Sequence, residues 1–86
     1  MVGVLHRYDI KGDFSTVAKS NLEFVERLQR SAHFLKDYQS MSIEDYMCGY
    51  AKRAWVLSGL VIRTENENIF VEDMINCGLL TKNVVQ

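Results

Sequence analysis

The side chains best suited to acid–base or nucleophilic chemistry are few: His6, His33, Cys48 and Cys77. His33 stands four residues before Asp37, and the plain reading is a helical histidine with an acidic neighbour. A general base also needs a nucleophile or a substrate pocket beside it, and no local spacing supplies either. The cysteines come without a Cys-x-x-Cys or His-x-x-x-His partner, so no four-ligand zinc set is spelled out. Cys48 lies one residue past Met47 and beside Gly49, where a small side chain lets helices approach. Cys77 precedes Gly78. Both read as small apolar groups used in packing.

The glycines at positions 3, 12, 49, 59 and 78 are scattered. They form neither G-x-x-x-x-G-K-[ST] nor G-x-G-x-x-G, the spacings that let backbone N–H groups cradle phosphates. From these residues the chain is expected to be no enzyme, with no cofactor and no metal. A small Cys-dependent enzyme using Cys48 or Cys77 with His33 is the least favoured of three readings.

Charge points the same way. Ten Lys and Arg stand against eleven Asp and Glu, a net charge of -1, whereas a dedicated nucleic-acid binder carries a basic excess to neutralise phosphates. The candidate basic groups for a helix-turn-helix are Arg27, Arg30, Lys52 and Arg53. Glu23 and Glu26 precede the first two by one turn, and Glu44, Asp45, Glu72 and Asp73 would repel phosphate. A dimer could still gather these bases on one face, so a dimeric helical nucleic-acid-binding regulator is the second reading.

The aromatics support a different kind of chemistry. Most lie at spacings compatible with a core. Trp55, next to Ala54 and close to Lys52 and Arg53, has the character of a protein-contact anchor, since aromatic and arginine side chains dominate such contacts. The residues expected to meet a partner are Trp55, Arg53, Tyr38, Glu65 and Glu67.

Elements must position these groups. Val2, Val4, Tyr8 and Ile10 alternate at period two, which predicts a short N-terminal strand or extended arm. Lys11-Gly12-Asp13 reads as a turn, with Asp13 or Ser15 as the cap of the next element. Phe14, Ala18, Asn21, Val25, Leu28, Ala32 and Leu35 then fall on a heptad seam. A helix is predicted from about Phe14 to Tyr38, braced by Glu23–Arg27 and Glu26–Arg30. Ser42, with Asp45 three residues on, starts a second helix running to about residue 60.

Residues 60–72 admit two readings: a small β-hairpin, or a third helix over 69–77 capped by Asn68 and closed by Gly78. The tail Thr81–Gln86 is expected to fray unless Val84 and Val85 add to a sheet or a partner.

The expected fold is mainly α: an antiparallel helical hairpin (14–38 and 43–60) with a short C-terminal helix (69–77) and an N-terminal strand or arm. An α+β arrangement with a hairpin at 60–72 is the alternative. With 86 residues the chain forms one domain, 1–86. No apolar run approaches a membrane span and no secretory pattern opens the chain, so a cytoplasmic protein with reduced thiols is expected.

Two long, wide-faced helices carry more apolar surface than one hairpin contact covers, which predicts a homo-oligomer or a protein partner. The favoured function is a non-catalytic protein-binding module, such as a small inhibitor or regulator of the kind found in phages and mobile elements.

Overall fold

The computed structural model describes residues 4–11, 14–31 and 41–85. Within them lie three strands, β1 (His6–Ile10), β2 (Phe14–Ala18) and β3 (Leu80–Val84). There are also three helices, α1 (Asn21–Ser31), α2 (Ile43–Ser58) and α3 (Glu67–Asn76).

The strands form one antiparallel sheet in the order β2-β1-β3. The chain is therefore α+β, which corrects the mainly helical expectation in two places: residues 14–18 are a strand rather than the first turns of a helix, and Leu80–Val84 supply a third strand in place of a frayed tail. The alternative hairpin at 60–72 is absent too, and a helix at Glu67–Asn76 stands close to the 69–77 expected.

The first correction has a clear physical cause. Phe14 and Ala18 are four apart, a spacing that fits a helical seam and also fits one face of a strand. Thr16 and Val17 are β-branched and favour the strand. The register pairs Ile10 with Phe14, so β1 and β2 are neighbours in the sheet and close neighbours in sequence, as the strands of a hairpin are.

The helix begins later, and Ser20 marks it. Its hydroxyl accepts the Glu23 N–H at 3.1 Å, while the Glu23 carboxylate accepts the Lys19 N–H at 3.2 Å. Ser-Asn-Leu-Glu is thus a variant of the capping box, in which a side chain at each end satisfies a donor the helix leaves open. Neither Asp13 nor Ser15 caps α1. The expected reach of this helix to Tyr38 lies outside the described residues beyond Ser31. The expected brace between Glu23 and Arg27 is present at 3.5 Å.

The other two helices obey their local start and stop signals more closely. Ser42 caps α2, accepting the Asp45 N–H at 3.1 Å. Gly59 ends it at φ 67°, in the left-handed region where a side chain is strained. Asn66, not Asn68, caps α3, accepting the Ile69 N–H at 2.9 Å. At its other end Gly78 takes φ 84°. The Gly78 N–H reaches Ile75 O at 3.1 Å and the Leu79 N–H reaches Met74 O at 3.0 Å, the paired bonds of a Schellman motif. That turn delivers Leu80 straight into β3.

The helices cover one face of the sheet. Tyr8, Ile10 and Ala18 point into the core from the strands. They meet Phe24, Val25 and Leu28 of α1, Tyr46 and Met47 of α2, and Phe70, Val71 and Met74 of α3. Tyr8 stacks on Phe24 with ring centroids 4.4 Å apart, and Tyr50 meets Phe70 edge-on at 5.6 Å. Fully burying side chains of this size is worth about 1.5–3 kcal/mol each.

The opposite sheet face is mostly polar. Arg7, Asp9, Ser15, Val17, Thr81 and Asn83 alternate outward, with Arg7 paired to Asp9 at 3.5 Å and Val17 exposed among them.

Candidate functional site

The sheet supplies cover that two helices alone lacked, and Phe24, Val25 and Leu28 of α1 are all buried, though Leu22 is exposed. The most exposed apolar side chains gather at the end of α2, with a lesser set, Val4, Leu5, Val84 and Val85, where β1 meets β3. Of the sixteen residues of α2 only Tyr46 and Met47 are buried. Tyr50, Ala51 and Ala54 rest on the core from the same side, while Trp55, Val56 and Leu57 stand 59%, 69% and 80% exposed. Val61, just past the helix, is 70% exposed. Exposed large apolar groups are ordinary when single, but four within seven residues form a patch.

These groups do not share one plane. A helix turns about 100° per residue, so Trp55, Val56 and Leu57 point in three directions around the last turns. Leu57 lies on the flank of Arg53, Tyr50 and Ala54. With Ser58, Leu60 and Leu79 these residues line an open cleft of about 210 Å³.

The cleft exists because Gly59 reverses the chain. Its N–H closes on Trp55 O at 2.9 Å and the Leu60 N–H on Ala54 O at 3.3 Å, which folds Leu60 back beside the helix. Leu79 arrives from the turn after α3. Over this apolar floor the Arg53 guanidinium lies 5.6 Å from the centre of the Tyr50 ring, a cation–π arrangement that holds the charge at the rim.

The segment behind the cleft is pinned by an ion pair. Arg63 donates from Nε and Nη2 to the two carboxylate oxygens of Asp73 at 3.0 and 2.9 Å, and from its backbone N–H at 2.8 Å. These bonds, the side-chain ones first, hold the Asp73 carboxyl down at about 2. They also fix residues 60–64 against α3 without any strand pairing, which is why the β-branched run there does not become a hairpin.

Of the described residues expected to meet a partner, Arg53 alone lines the cleft. Trp55 is exposed on another side of the same helix. Glu67 opens α3, where a carboxylate suits the positive end of the helix dipole, and Glu65 acts on Arg63 through its charge. Both therefore have local roles at the start of α3. Tyr38 lies outside the described residues. Leu57, Leu60 and Leu79 are absent from the sequence-based set. Leu60 and Leu79 each directly follow a left-handed glycine, and a hydrophobic residue in that position is a readable signal of a contact across the helix end.

The groups with potential for other chemistry are dispersed. His6 sits half-buried in β1 with its ring 6.4 Å from Tyr8. His33 and Asp37 lie outside the described residues. Cys48 is exposed, its sulfur 3.4 Å from Thr64 Oγ1, while Cys77 donates to Met74 O at 3.5 Å. Among the described residues no three His, Cys, Asp or Glu side chains gather to hold a metal, and no helix is long and apolar enough to cross a membrane.

A second polar constellation ties the fold together. Asn21 Oδ1 accepts from both Tyr8 Oη and Lys82 Nζ, while Asn21 Nδ2 donates to Asn68. It joins β1, β3, α1 and the start of α3. Burial, with Glu23 nearby, raises the Tyr8 hydroxyl above its usual value of 10.0, so it stays a neutral donor. Every bond in the set is internal, which suits structure rather than catalysis.

No family model, curated protein or solved structure matches the chain.

Proposed function

We propose that this protein is a non-catalytic docking module, an inhibitor or regulator that acts by binding another protein through the Leu57 flank of α2. The observation that carries this reading is the coincidence of an 80%-exposed leucine with an open apolar cleft rimmed by an arginine. Interface centres are built this way: an apolar depression takes an anchor side chain, and arginine at its edge meets a carbonyl or carboxylate of the partner. The cleft is too small for a drug-sized ligand, whose pockets run from roughly 300 Å³ upward. It suits one or two side chains of a protein.

A photo-reactive amino acid placed at Leu57 tests this in the native host, with the same group at Ser15 on the polar sheet face as the control. A discrete protein captured at 57 and not at 15 is expected. Once purified, that protein should bind Leu57→Asp at least about tenfold more weakly than the native chain, the size of loss typical of an interface anchor. Equal capture at both positions, or binding indifferent to Leu57→Asp, overturns the reading.

A further inference from the structure

The cleft flank leaves the outward side of α2 unexplained, and that side has its own logic. Tyr46, Met47, Tyr50, Ala51 and Ala54 set the inward direction of the helix. At about 100° per residue the opposite side carries Asp45, Cys48, Gly49, Lys52 and Val56, with Trp55 at its margin. We propose that this stripe is the contact face of an antiparallel dimer, in which two copies of α2 cross at Cys48 and Gly49.

Charge selects the partner. Glu44 and Asp45 occupy the first turn of α2, and no base lies in its last turn; Lys52 and Arg53 come two turns after the acids. A helix that is acidic at its start and basic at its middle complements itself in one direction only. Laid parallel, Asp45 meets Asp45 and Lys52 meets Lys52, like charges face to face. Laid antiparallel, with Asp45 opposite Lys52 of the second copy, the two-fold axis repeats the pair, giving two opposite-charge contacts.

The same register centres the two-fold axis between Cys48, whose sulfur lies 3.4 Å from Thr64 Oγ1, and Gly49, where the Arg53 guanidinium lies 3.5 Å from the position of a Cβ. It carries the exposed Trp55 and Val56 over the Met41–Ser42 end of the other helix. The opposed helix dipoles add to the preference.

Size sets the strength. Sixteen residues make a helix about 24 Å long, and one such crossing covers less than the roughly 800 Å² per partner of a standard stable interface. The dimer is therefore weak, concentration-dependent and loosened by salt. It leaves the Leu57 cleft open, so it stands independently of the docking function.

Sedimentation equilibrium over a wide concentration range, at low and high salt, tests the proposal on the full chain. Dimer at high concentration, reduced by salt, is expected. Lys52→Asp should weaken it at least about tenfold, since each of the two symmetric pairs becomes a like-charge contact. Asp45→Lys added to Lys52→Asp should restore it, because the swap re-pairs the charges.

A second measurement does not depend on the helix tolerating a new residue at its first turn. In a Cys77→Ser background, a short bismaleimide should join Cys48 of one copy to Cys48 of the other. That yield should fall with Lys52→Asp and stay unchanged with Leu57→Asp. A monomer at every concentration with no cross-link, or a dimer indifferent to Lys52→Asp, overturns the proposal. Loss of the dimer with Leu57→Asp overturns it too, since the cleft would then be the self-contact.

Discussion

Tyr8 and Lys82 donate to the same atom: the side-chain oxygen Oδ1 of Asn21 lies 2.8 Å from the Tyr8 hydroxyl and 3.0 Å from the Lys82 ammonium. The Lys82 nitrogen also sits 5.3 Å from the centre of the Tyr8 ring. One amide thus secures the central strand, an edge strand and the start of α1. Asn21→Ala is expected to cost about 1–3 kcal/mol, because it strands a buried hydroxyl and a partly buried cation together. Urea unfolding of the two proteins measures it, and a cost under about 0.5 kcal/mol would show that water replaces the amide.

The Tyr8 hydroxyl gives the fold an alkaline limit. Its folded pKa is raised above 10.0 by burial and then by Glu23, so above pH 10 the unfolded chain releases this proton while the folded chain keeps it. Its contribution is full below pH 10 and declines as pH rises beyond it. Tyr8→Phe should flatten that part of the decline in urea midpoints measured across the alkaline range. Equal slopes for both proteins would contradict the assignment.

At the acid end the group is Asp73, held at about 2 against an ordinary 3.8 by Arg63. Its contribution is present above about pH 4 and disappears as pH falls toward 2, as the folded carboxylate takes up a proton. Asp73→Asn should lower stability at neutral pH and remove this portion of the acid dependence. Thermal melts at pH 6 and pH 3 would show the native protein losing more than the variant.

Helix ends supply the next test. Ser20→Ala removes the hydroxyl that accepts the Glu23 N–H and is expected to cost about 1 kcal/mol. Gly59→Ala meets no atom within 4 Å but must hold φ near 67°. Its cost is therefore conformational alone, roughly 1–2 kcal/mol. Denaturant midpoints of the two variants separate a lost cap from a strained backbone, since Gly59→Asn, which tolerates that region better, should recover part of the second loss and has no counterpart in the first.

By contrast, Trp55→Ala should change unfolding free energy by less than about 0.5 kcal/mol, because this side chain is exposed. A larger loss in a chemical melt would mean that Trp55 serves the fold.

The parts of this fold that are legible in the sequence are those written in local chemistry. Ser42 and Gly59 bracket α2 because a cap and a left-handed stop are properties of single residues, and Gly78 announces the end of α3 for the same reason. The sheet is legible only in part. The period-two pattern through Ile10 marks β1, but its second pairing joins His6–Ile10 to Leu80–Val84, segments about seventy residues apart, and no short-range pattern reports a non-local partner.

Phe14 to Ala18 reads as helix because apolar groups four apart satisfy both periods, and the β-branched Thr16 and Val17 with the Ser20–Glu23 box resolve the ambiguity. Arg53 stands out in the sequence because arginine beside aromatics is a local cue, whereas Leu57 becomes notable only once Leu60 and Leu79 are folded next to it.

The order β2-β1-β3 also has a consequence in time. A ribosome releases the chain from its N-terminus, and β3 is the last of the described elements to emerge. Until Leu80–Val84 is free, β1 has hydrogen-bonding groups along one whole side with no partner, and Ile10 and Tyr8 lack part of their cover. An open strand beside apolar side chains is an invitation to any neighbouring nascent chain. The interval between the exit of β1 and the exit of β3 is the vulnerable period in this protein's synthesis, and slowing translation over α2 and α3 would lengthen it.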